Sequence, residues 1–170
     1  MTFIEVLVAL FVLVTGVLGA VAMQTTAKKG SFDALQRSIA SSLAQDIIER
    51  MRNNDADAVT LEGYEGVYGA SSETPPSPLC ETEATACNSA QMRQYDLYEW
   101  TEMIRGGEAI LDSSNVGGLV NALGCIEHTN QVVTITIVWD GRTETTDGGE
   151  SGCGSTSLKR RQIKFTSYIF

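Results

Sequence analysis

The sequence predicts an α+β protein, in which a long N-terminal α-helix, apolar in its first half, carries a head built on an antiparallel β-sheet. Three observations predict it. Residues 3–23 read FIEVLVALFVLVTGVLGAVAM, with Glu5 the only charge and Thr15 the only other polar side chain. Apolar residues then recur at spacings of three and four from Phe32 to Met51, the period of a one-sided helix. Residues 132–139 and 163–169 instead follow a period of two, the mark of strands with two unlike faces.

About 20 consecutive apolar residues suffice to span a bilayer as a helix, and a helix satisfies its own backbone hydrogen bonds there. Gly16 and Gly19 lie mid-segment, where they permit close helix contacts or local unwinding. A cleaved signal peptide would need a basic start and a small-residue cleavage site. Here no Lys or Arg precedes Lys28, and QTTAKKG runs on into the next helical pattern. The segment is therefore expected to be retained, with something basic already removed in front of it. A carboxylate five residues into such a helix is costly unless paired or neutral. The nearest candidate cation for Glu5 is the α-amino group of a Met1 exposed by processing, in the same chain or a neighbour. Between neighbours, apolar flanks would supply affinity and the charge pair would select one axial offset.

The amphipathic stretch comprises Phe32, Leu35, Ile39, Leu43, Ile47, Ile48 and Met51, with Glu49 and Arg52 spaced for an i,i+3 pair. Asn53-Asn54-Asp55 ends it, so residues 3–52 are expected to form one rod about 75 Å long at 1.5 Å per residue. This divides the chain into an apolar transmembrane or assembly helix (1–27), an amphipathic half (28–53) and a globular head (54–170).

In the head, residues 56–94 read as loop-rich, and Pro75-Pro76-Ser77-Pro78 excludes helix interior. Leu97, Trp100, Met103 and Ile104 form a short helical face within 96–105, with Trp100 as a core anchor. Val133, Ile135, Ile137 and Trp139 share one strand face, and Asp140-Gly141 is a turn signal. The second strand carries Ile163, Phe165, Ser167 and Ile169 on one side, and the two are expected to pair antiparallel. Helix 32–51 is expected to lie across the sheet's apolar face. Lys159-Arg160-Arg161 reads as the solvated end of a strand. Four cysteines allow three pairings; local closure favours Cys80–Cys87 and Cys125–Cys153, in an oxidising compartment.

A net charge of −9 and a pI near 4.5 exclude a general nucleic-acid binder, which needs a basic face. Nor is catalysis indicated. Gly106-Gly107 and Gly148-Gly149 lack the lysine and spacing of a phosphate loop, and His128 is the one histidine, with no Gly-x-Ser-x-Gly elbow. Glu81 and Glu83 read as solvated loop charges. Asp140, Glu144, Asp147 and Glu150 supply oxygen ligands but not at EF-hand spacing. No catalytic residue, metal site or cofactor is expected, and a membrane-tethered enzyme or ligand-binding domain is the competing class.

An apolar N-terminal helix with Glu at position 5, running into an amphipathic half and a β-rich head with a C-terminal disulfide, resembles a mature type IV pilin. TFIEVLVAL with LVTGVLG, then LQRSIASSLAQDIIERMRNN, resembles the PilV-type minor pilins, or type IV pilus modification proteins. YDLYEWTEMI, VVTITIVWDGR and LKRRQIKFTSYIF resemble the head of that family. The resemblance implies the type IV pilin fold and a basic leader cut before Met1, whose new amine is methylated. It also implies that Glu5 meets a neighbour's terminus during assembly. Other minor pilins and the major pilin are the implied partners through the N-terminal helix, with a pilus-tip protein as a further one. The implied location is the inner membrane with a periplasmic head, then the extracellular pilus. Met1 stands where most pilins carry Phe, which brings in a type II secretion pseudopilin as the alternative, with a major pilin after it. Ala22 stands where many major pilins carry a helix-breaking Pro.

Overall fold

A computed structural model describes residues 2–54, 61–81, 86–107, 110–112, 114–115, 117–145 and 152–169. Its chain divides into two compact units, Met1–Leu35 and Gln36–Phe170.

From Phe3 on the first unit is helix, the opening part of α1 (Phe3–Asn53). None of its described residues is buried, and Phe3 and Phe11 are 83% and 70% exposed. The helix is long and apolar enough to cross a membrane, and so continuous an exposed apolar surface needs a cover other than water. Its polar atoms fold back on the backbone. The Thr15 hydroxyl lies 3.0 Å from the carbonyls of Phe11 and Val12. The Ala22 carbonyl accepts from the hydroxyls of Thr25 at 2.8 Å and Thr26 at 3.2 Å. The helix passes unbroken through Ala22, Gly16 and Gly19.

Among the described residues, the second unit holds the rest of α1, a helix α2 (Ser89–Arg105) and six strands. Strands β1 (Gly66–Tyr68), β4 (Leu123–Thr129), β5 (Val132–Asp140) and β6 (Arg160–Tyr168) form an antiparallel sheet in the order β1-β4-β5-β6. Strands β2 (Ile110–Leu111) and β3 (Ser114–Asn115) pair separately. Registers Ile126↔Ile135 and Ile135↔Phe165 bring like faces together across three strands. Val133, Ile135, Ile137 and Trp139 are buried in one core with Ala40, Leu43, Ile47 and Met51 of α1 and Trp100 and Ile104 of α2. The Trp100 indole N–H donates to the Leu43 carbonyl at 2.8 Å, which satisfies the one polar atom of a fully buried ring. Gly124 of β4 makes room for that ring: a Cβ there would stand 2.4 Å from Trp100 Cη2. The opposite face of the sheet packs Cys125, Val138 and Leu123 under Cys153.

Sequence periodicity places Leu35 on the buried stripe, but it is 57% exposed and Phe32 is only partly covered. Steps of four residues advance 40° around a helix, so Leu35 lies about 80° from Leu43. Gln36, in step with Ala40, Leu43 and Ile47, takes the inward position instead. The basic run is likewise not uniformly solvated. Arg160 is 5% exposed, reaching the Gly154 carbonyl and Gln162, because the segment tied down at Cys153 covers it. Helix α2 also begins earlier than the apolar face 96–105 suggests. Asn88 and Gln91 form a reciprocal capping box seven residues upstream of Tyr95.

Candidate assembly site

Glu5 lies in the first turn of α1. Its carboxylate accepts from the Thr2 backbone N–H at 3.4 Å, and its own N–H donates to the Thr2 carbonyl at 3.0 Å. Thr-x-x-Glu is a capping-box pattern, so the side chain satisfies a donor that the helix start leaves without a partner. It also places negative charge at the positive end of the helix dipole. Around it stand Phe3, Ile4, Val6, Leu7 and Val8, each about half exposed or more. The chemistry available is a single carboxylate on an apolar shaft, held by a donor of the kind another amine could supply. Met1, the expected partner, lies outside the described residues.

The four cysteines are joined as Cys80–Cys87 and Cys125–Cys153, with Cα separations of 6.0 and 5.8 Å. The second bond ties the 152–154 segment to β4. Among the acidic residues considered for a cation, Asp147 and Glu150 lie outside the described residues, and Asp140 accepts from Asn121 at 2.8 Å. No group of His, Cys, Asp and Glu able to hold a metal ion occurs among the described residues. The His128 ring takes the Gln131 N–H at 3.3 Å.

A polar network that sequence reasoning missed fastens the end of α1 to α2. Arg50 bridges Asp46 at 2.8 Å, Glu99 at 2.7 Å and Asp96 at 3.4 Å. The buried Tyr64 hydroxyl donates to Asp96 at 2.7 Å and accepts from Asn54 at 2.8 Å; Asn54 also donates to the Ser89 carbonyl at 2.9 Å. Burial pushes the Asp96 carboxyl up from its usual range, against the pull of Tyr64 and Arg50. Burial works against the Arg50 cation, yet its hydrogen bonds to Glu99 and Asp46 leave its pKa raised. Of this network only the i,i+4 pair Asp46–Arg50 is local in sequence; the expected Glu49–Arg52 pair is present at 2.6 Å on the exposed side.

The family model described as Tt1218-like, type IV pilin Tt1218, matches residues 22–98. Over those residues the chain is similar to the type IV pilins. The match begins in the apolar helix at Ala22 and ends in α2 at Tyr98, so it spans the passage from shaft to head. The long helix and the antiparallel sheet are consistent with the type IV pilin fold. Neither the curated proteins nor the solved structures give a match. The pilin family is structural and non-enzymatic, and its members assemble with other pilin subunits in a pilus. The exposed apolar helix of this chain is consistent with membrane anchoring.

Proposed function

We propose that this chain is a type IV pilin, a minor subunit of the PilV type that helps to initiate or cap a type IV pilus and has no catalytic activity. The observation that carries the reading is the wholly exposed apolar start of α1 with Glu5 as its single charge. In the filament, that helix packs in a bundle of like helices with other minor pilins and the major pilin. Glu5 exchanges its Thr2 N–H for the processed, methylated amine of a neighbour. Burial in such a bundle leaves an unpaired carboxylate very costly, so only the axial offset that matches amine to carboxylate is tolerated. The PilV-like stretches in residues 1–52 support the minor-pilin subtype over a type II secretion pseudopilin. Before assembly the subunit is held in the inner membrane with a periplasmic head, where an oxidising environment allows both disulfides to form.

The test is Glu5→Ala in the cell of origin. The head is expected to keep both disulfides and its unfolding midpoint, while incorporation into pili and co-purification with partner pilins fall sharply. Wild-type levels of both would overturn the proposal.

A further inference from the structure

Beside β1 the head carries a cleft of about 300 Å³ that the assembly helix does not use. Tyr68, Glu73, Pro76, Gln94, Leu97 and Tyr98 line it. Gln94, Leu97 and Tyr98 come from one face of α2, at spacings of three and four. Tyr68 is a fixed wall. Its hydroxyl donates to the Tyr64 carbonyl at 2.8 Å, and its ring meets Trp100 edge-on at 5.7 Å between centroids. Glu73 is the one charged lining group. Among the described residues, neither its carboxylate nor the Tyr98 hydroxyl makes a hydrogen bond or ion pair. The carboxylate acts on the cleft wall: burial and then Glu73 push the Tyr68 phenol up to about 12, against Arg93. The Arg93 guanidinium itself lies over Gly63 and is not part of the lining.

We infer that this cleft binds an alkylammonium group, the side chain of a lysine on a partner protein. Two tyrosines, a proline and a leucine offer an apolar sleeve for a four-carbon stem. An ammonium brings three donors and no acceptor, which suits a carboxylate and a phenol oxygen that lack partners. Aromatic faces add attraction for a cation, and the chain's net charge of −9 draws cations towards it. An anion would face Glu73 directly. The inference is independent of whether the subunit is a minor pilin.

The test uses the full chain in detergent micelles, followed by the ring resonances of its tyrosines in solution NMR. N-acetyl-lysine methylamide is titrated against N-acetyl-norleucine methylamide, which keeps the apolar stem and lacks the ammonium. The lysine compound is expected to shift Tyr68 and Tyr98 saturably and to bind at least about tenfold more tightly, a difference of about 1.4 kcal/mol. Glu73→Gln is expected to erase that preference, and Tyr98→Ala to abolish the shift at Tyr68. Both positions are at least partly solvated, and an unchanged unfolding midpoint verifies that each variant folds. Equal binding of the two compounds, no shift at either ring, or a preference untouched by Glu73→Gln would overturn the inference. Cadaverine binding more than tenfold tighter than the lysine compound would overturn the protein-partner assignment in favour of free diamines.

Discussion

Tyr64→Phe removes one oxygen from the network that fastens α1 to α2. That oxygen donates to Asp96 and accepts from Asn54. The Asn54 amide keeps the Ser89 carbonyl at 2.9 Å, so its loss is small. Asp96 keeps only the long 3.4 Å approach of Arg50, and it is 4% exposed. A hydrogen bond to a buried charged group contributes about 1.5–3 kcal/mol, and an orphaned acceptor adds its desolvation. The expected loss is about 2–3 kcal/mol, or about 6–15 °C in Tm at about 3–5 °C per kcal/mol for a unit of this size. The loss should depend on pH. Burial raises the folded-state pKa of Asp96 above its unfolded value, so the stability it contributes falls as pH rises through that interval. Removing Tyr64's hydroxyl, which favours the carboxylate, makes the charged form costlier still. The gap between variant and wild type is therefore widest at neutral pH and narrows towards the unfolded carboxylate value near 4. Thermal unfolding of the full chain in micelles, read from the buried Trp100 and Trp139, measures it. A gap below about 0.5 kcal/mol at neutral pH, or one that is as wide at pH 4, would refute the reasoning.

Gly124→Ala should overpack the core at Trp100 Cη2 and Ile104 Cδ1, 2.4 and 2.8 Å from the new methyl. The cost expected in denaturant unfolding is about 1–3 kcal/mol, and a neutral result would mean the ring has room to shift. Replacing both cysteines of a pair by serine should cost more for Cys125–Cys153, separated by 28 residues, than for Cys80–Cys87, separated by 7. Loop-closure entropy gives about 3.6 against about 2.4 kcal/mol, and a reversed order in urea titrations would contradict it.

The shaft was legible because a membrane-compatible segment has a long, uniform signal, and Glu5 stands out against it. Strand β5 was legible for a similar reason: Val133, Ile135, Ile137 and Trp139 alternate without interruption, and their burial fixes which face is inward. Strand β1 was not. Its three residues, Gly66–Tyr68, are too few to show a period, and their partners Ile126, Cys125 and Gly124 lie far along the chain. The same holds for the Arg50 network, whose contacts Asn54–Tyr64, Tyr64–Asp96 and Arg50–Asp96 join residues 10, 32 and 46 apart in sequence. No local pattern announces a contact that only tertiary folding creates. Leu35 shows the limit from the other side. An i,i+4 spacing kept for two steps drifts far enough around the helix to leave the face it started on.

The bond from Trp100 to the Leu43 carbonyl has a mechanical consequence. With the Arg50 bridges and the bond from Asn54, the residue after α1, to Ser89, it gives α2 three polar grips on the end of α1 and the turn that follows it. Traction along the helix axis loads all three in shear together. A slip of one residue moves the helix about 1.5 Å and turns it about 100°, which carries Arg50 off its carboxylates and the Leu43 carbonyl off the indole at once. The Trp100 indole, fully buried and holding one carbonyl, is the least forgiving of the three grips to such a slip.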